Sequence, residues 1–152
     1  MTQRLDYERV GSAGLKALGG VYQHVARSGL PKDLVDLVYL RVSQINGCAY
    51  CIDTHSRDLI KDQVPVAKIM LVSVWREAGD MFSDREKVAL QWAEAVTLVS
   101  QTHIPDVDFQ AAAAQFDEKE LVDLTIAVGL MNTYNRIAIG FRRGPAAAAP
   151  SA

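Results

Sequence analysis

The sequence predicts an all-α fold. Apolar residues recur at helical spacing along most of the chain. No stretch shows convincing period-2 alternation, and no Asn-Gly pair joins two alternating apolar runs. Between the apolar segments stand the residues that start and stop helices. A chain of 152 residues reads as a single domain with a packed core. That domain is expected over 1–143, with a disordered tail over 144–152.

The first helix is expected over Tyr7 to Ala26, although it carries Gly11, Gly14, Gly19 and Gly20. Pro31 suits a first helical position, and Leu34, Leu37, Val38, Val42 and Ile45 mark the buried face that follows. Asn46-Gly47 reads as the stop. A further helix is expected to begin at the two cysteines and run to Lys61. Pro65 opens the next, through Ile69, Val72 and Trp75 to Gly79. Ser83-Asp-Arg-Glu86 has the spacing of a capping box ahead of a helix over Val88 to Val99. Pro105-Asp106 opens a short helix through Ala114. Asp117-Glu-Lys-Glu120 supplies a cap and an acidic first turn for a long apolar helix reaching Ile139.

Composition narrows the function. A net charge of −2, with no basic stripe, argues against a nucleic-acid binder. No apolar run approaches the roughly 20 residues of a membrane span. The opening MTQRLDYERV lacks the charged-then-apolar layout of a secretory signal. A cytoplasmic protein is therefore expected. In that reducing compartment a structural disulfide is improbable, and a bridge across three residues would constrain the unfolded chain little.

One segment echoes another. Lys32-Asp-Leu-Val-Asp-Leu37 recurs as Lys119-Glu-Leu-Val-Asp-Leu124, with five of six residues identical at an offset of 87. The same offset sets Asn135 opposite Cys48, Ala138 opposite Cys51 and Arg142 opposite His55. The echo suggests a duplicated helical hairpin in which only the first copy holds chemistry. Coincidence between two amphipathic helices is the alternative.

The chemistry-bearing segment is Ile45-Asn-Gly-Cys48-Ala-Tyr-Cys51-Ile-Asp-Thr-His55. On a helix Cys48, Cys51 and His55 share one face. The thiolate is the reactive form of a cysteine, whose free pKa is about 8.5. The break at Asn46-Gly47 sets Cys48 near a helix N-terminus, which favours its thiolate. His55, one turn beyond Cys51, favours the other sulfur as its base. The two arguments leave the order of attack open. Two neighbouring thiols can reduce a peroxide through a sulfenic acid and close to a disulfide, which an external dithiol reopens. Zinc is a rival, with Cys48, Cys51 and His55 as three ligands. Structural zinc usually takes four, and His24 and His103 lie on other helices without a ligand partner nearby. A redox pair without cofactor or metal is expected. Asp36 lies on the preceding helix among apolar neighbours. It is either a solvated residue or a proton acceptor aimed at the site.

The phrase from Val42 to His55 resembles the AhpD alkylhydroperoxidase family, within the carboxymuconolactone decarboxylase superfamily. Leu34 to Leu59 carry the match best, and Trp92-Ala-Glu94 and Asn135-Arg136 also look similar. The resemblance implies an all-helical fold, hydroperoxide reduction without a bound cofactor, a dithiol or protein reductant, and a homo-oligomer, trimer or hexamer. It implies that Cys51 attacks the peroxide, that Cys48 resolves, and that His55 assists. A family glutamate twelve residues before the first cysteine corresponds to Asp36, one methylene shorter. Tyr50 stands where the best-known members carry a histidine. Decarboxylase members typically lack the cysteine pair. The rival function is a redox-sensing or thiol-disulfide exchange module without strong turnover.

Overall fold

The computed structural model describes residues 2–145 and is helical throughout, with no β-strand among those residues. Its helices are α1 (Tyr7–Val10), α2 (Ser12–Ala26), α3 (Lys32–Asn46), α4 (Ala49–Lys61), α5 (Val66–Leu71), α6 (Asp84–Thr97), α7 (Val99–Thr102), α8 (Asp106–Gln115) and α9 (Glu118–Phe141). Short 3₁₀ segments, Val72–Glu77 and Gly79–Met81, join α5 to α6. None of the described helices is long and apolar enough to cross a membrane.

Helix α3 is the centre of the molecule and packs against α4, α6 and α9. Most of its length is buried, including Leu34, Leu37, Val38, Tyr39, Leu40 and Val42. The larger core region joins Leu34, Val38, Tyr39 and Val42 to Trp92 of α6 and to Leu124, Ala127, Val128 and Met131 of α9, and both cysteines belong to it. A second region gathers Leu37, Leu40, Leu59, Ile69, Val72, Trp75 and Phe82 under the α5 side.

The expected capping box at Ser83 forms, and the expected cap at Asp117 is a capping box as well. The Ser83 side chain accepts from the backbone N–H of Glu86, whose carboxylate accepts in return from that of Ser83. Asp117 and Glu120 repeat the exchange at the start of α9. Two expected helices are broken. The first is interrupted at Gly11, whose backbone (φ −102°, ψ 21°) leaves helical geometry and divides α1 from α2. The segment after Pro65 stays α-helical only to Leu71, then tightens and kinks at Val74 (φ −124°, ψ 29°), while Val72 and Trp75 turn inward. Pro31 and Pro65 act as N-caps, each one residue before its helix. Of the expected tail, Gly144 and Pro145 carry no helix, and 146–152 lie outside the described residues.

The echo between the halves is structural at its start. Lys32 and Lys119 each reach one helical turn forward to a buried aspartate, Asp36 at 2.8 Å and Asp123 at 2.7 Å. Beyond that turn the copies diverge. Helix α3 ends at Gly47, whereas α9 runs on unbroken through Asn135 and Ala138.

Candidate active site

The end of α3 builds the site. Gly47 adopts a left-handed conformation (φ 70°, ψ 35°) that costs glycine nothing. Its N–H donates to the carbonyl of Gln44, and the N–H of Cys48 donates to that of Ser43. This double closure is a Schellman motif. It reverses the chain and hands Cys48 directly to α4 as the N-cap residue. Cys48 therefore stands at the mouth of the helix rather than within it, and its Sγ accepts the N–H of Cys51 at 3.3 Å. The two cysteines are joined as a disulfide, with Cα atoms 5.3 Å apart. Both are buried.

Cys51 and His55 follow on one face of α4, one turn apart. His55 is buried, and its ring packs on Tyr39 with centroids 5.0 Å apart. Its Nδ1 lies 3.4 Å from Oδ1 of Asp36 and 3.9 Å from Oδ2 of Asp58. Neither approach has hydrogen-bond geometry, so this buried nitrogen has no hydrogen-bond partner among the described residues. Asp36 is buried as well, and its second oxygen accepts from the Lys32 ammonium at 2.8 Å. Lys32 also reaches Asp62 at the end of α4. Burial pushes the Asp36 carboxyl up, but His55 and Lys32 outweigh it and hold the group below the usual carboxylate range. The aspartate is ionised and faces the histidine.

Cys51 and His55 lie on the wall of a cavity of about 380 Å³. Tyr7, Tyr22, Tyr50 and Tyr134 frame it, with Met131 and Ile137 as apolar floor. Cys48 lines an adjoining open groove that Arg57, Arg142 and Arg143 border. Tyr50 lines both spaces, and the guanidinium of Arg143 sits 4.9 Å from its ring centroid. Polar residues of α3 and α9 brace the turn from behind. Asn46 donates to the side-chain oxygens of Asn132 and Asn135, both at 2.9 Å, and Asn135 donates to Ser43.

The four residues singled out by sequence, Asp36, Cys48, Cys51 and His55, are thus one cluster. Spacing did not bring in Lys32, Asp58, Asp62, Tyr39 or the cavity tyrosines. Lys32 had a readable signal, the opposite charge four residues before Asp36. The tyrosines of α1, α2 and α9 had none, because tertiary packing alone gathers them. His24, with no visible companion in the sequence, meets Asp123 at 2.7 Å and does not join this cluster.

Comparison with known proteins agrees with this architecture. The model of the carboxymuconolactone decarboxylase family matches residues 13–95. The uncharacterized protein YdfG of Bacillus subtilis is 33% identical over 139 residues, covering 91% of this chain and 94% of its own. A solved structure from Agrobacterium tumefaciens, of unknown function and provisionally assigned as the antioxidant defence protein AhpD, superposes with a TM-score of 0.91. It is 38% identical, covering 95% of this chain and 98% of its own. The AhpD core of an uncharacterized peroxidase-related protein from Ralstonia eutropha shares the fold (TM-score 0.77) at 22% identity, over 88% of this chain and 71% of its own. By sequence and fold alike, the chain belongs to the carboxymuconolactone decarboxylase family and is AhpD-like within it.

Proposed function

We propose that the protein is an enzyme, a thiol-dependent peroxidase that reduces alkyl hydroperoxides through Cys51 and Cys48. One observation carries the reading: a two-cysteine redox pair sits at a helix mouth, with a buried histidine-aspartate pair beside it on a cavity wall.

In the reduced protein His55 takes the Cys51 proton. Ionised Asp36 beside Nδ1 favours the tautomer with its proton on that nitrogen, which leaves Nε2 as the base. The Cys51 thiolate attacks the outer oxygen of the hydroperoxide. The O–O bond breaks, Cys51 becomes a sulfenic acid, and the departing alkoxide recovers the proton from His55 to leave as an alcohol. Cys48 then attacks the sulfenic sulfur, the S–S bond forms, and hydroxide leaves and is protonated to water. The start of α4 favours the Cys48 thiolate for this second step, since the N–H of Cys51 already points at that sulfur. A dithiol reductant reopens the bridge by two exchanges, becoming a disulfide itself. The cytoplasm supplies such reductants, and the cycle uses no cofactor.

Purified protein should consume an organic hydroperoxide when given a dithiol, and Cys51→Ser should fall to background. Full turnover in Cys51→Ser would overturn the mechanism. His55→Ala should slow turnover near neutral pH by about 10²–10⁴-fold, the range of a general base.

A further inference from the structure

We infer that Asp36, His55 and Asp58 form a binding site for a divalent transition cation of the zinc class, on the cavity wall beside the redox pair. Asp36, His55 and Asp58 each offer one ligand atom within 4.8 Å of those of the other two. Two of the three gaps are 3.4 and 3.9 Å. Ligand atoms held at zinc distances in a tetrahedral arrangement stand roughly 3.4 Å apart, so a small closure of the triangle suffices. The donor set, one imidazole and two carboxylates, suits zinc and leaves a fourth position for water.

The independent sign of a ligand is the histidine nitrogen. His55 is 94% buried, since its exposure is 6%. Its Nδ1 faces the carboxylates of Asp36 and Asp58 with no hydrogen-bond partner among the described residues. Buried ring nitrogens are ordinarily satisfied, and this one faces two carboxylate oxygens at separations too long or too oblique for a hydrogen bond. A metal ion at the centre would satisfy all three atoms together. Access is available, because His55 and Asp58 both line the 380 Å³ cavity and the Asp58 side chain is partly exposed. Lys32 does not block the position, since it holds Oδ2 of Asp36 and leaves Oδ1 to the triangle. Asp36, Asp58 and Asp62 set three negative charges against the one ammonium. The excess of two matches a dication.

An ion here would occupy the imidazole that serves Cys51, so binding and peroxide reduction would exclude one another. That consequence rests on the peroxidase reading, whereas the binding itself does not. The test uses the full chain with its disulfide intact, so that no thiol can ligate. Titration with ZnCl₂ by calorimetry should give one ion per chain, and Co²⁺ should give visible absorption bands with no sulfur-to-metal charge transfer. Asp58→Asn and His55→Ala should each weaken binding by at least about 10–100-fold, the loss seen even for residues that merely support a ligand. Circular dichroism should show both variants folded, and Asp58→Asn is placed at a part-exposed position where a change of shape is small. A Cys48→Ser, Cys51→Ser double variant should bind zinc as the oxidised protein does. ZnCl₂ should lower wild-type turnover and leave that of Asp58→Asn at its own zinc-free value. Three results would each overturn the site: no binding by the oxidised protein, binding only when the thiols are reduced, or unchanged affinity in Asp58→Asn. Absence of peroxidase turnover would remove the inhibitory consequence alone.

Discussion

Asp36 shows what a single buried charge does in this molecule. It stays ionised in a place where burial alone would protonate it, because Lys32 and His55 face its two oxygens. That arrangement links stability to pH with a definite sign. A carboxyl whose folded pKa lies below its unfolded value of about 3.9 stabilises the fold above that value, and the contribution is lost as pH falls through the lower folded pKa. Asp123 and Glu94 are depressed in the same way, Asp123 chiefly by Lys119, and Glu94 by Trp75, Arg76 and Arg41 against its burial. Urea midpoints should therefore drop steeply as pH falls below about 4. Asp36→Asn should be less stable than the parent at pH 7, and the gap should narrow towards pH 3 as the parent's carboxyl protonates. A gap that stayed constant across that range would mean that Asp36 contributes by shape and not by charge.

Among the elements, α6 is tied to α3 and to the 3₁₀ segment after α5 by Glu94. Glu94 accepts from Nε of Arg41 on α3 at 2.7 Å and from the indole N–H of Trp75 at 3.0 Å, and it pairs with Arg76. The Arg41 and Glu94 side chains are both mostly buried, so losing the carboxylate strands a guanidinium away from water. Glu94→Gln should cost about 2 kcal/mol, the scale of a hydrogen bond to a charged partner, read from denaturant unfolding. A loss below a few tenths would mark the clasp as ornamental. The sequence shows Trp92-Ala-Glu94 as part of a family likeness, but nothing local says that Glu94 gathers three donors from 18 to 53 residues away. The same limit divides the rest. Capping boxes, the Gly47 stop and the face shared by Cys51 and His55 were legible because each is decided within a few residues. The break at Gly11 was only half legible, since glycine permits a helix end without requiring one. The kink at Val74 was not legible, because it follows from Val72 and Trp75 both reaching the core under α3. Asp36 needed the family resemblance, since an acidic residue among apolar neighbours reads equally as a solvated face.

At the scale of the whole molecule, the two core regions account for the inward faces of the helices but leave a surplus outside. Met70, Val107 and Val122 are each more than half exposed, on α5, α8 and α9 respectively, and Phe109 joins Val107 on α8. Scattered apolar residues are ordinary on a monomer, but a family likeness that implies self-association gives this set a use. The chain is therefore expected to form a closed homo-oligomer, a trimer or a hexamer, that covers part of this surface. Sedimentation at micromolar concentration should return three or six times the 16.6 kDa of the chain. Met70→Glu, Val107→Glu and Val122→Glu should all fold, since each side chain already lies in water in the isolated chain. The variant whose mass falls to that of one chain places the contact on its helix. A parent protein that sediments as a monomer would end the expectation, and the cluster of Asp36, Cys48, Cys51 and His55, which comes from one chain's α3 and α4, would be unaffected.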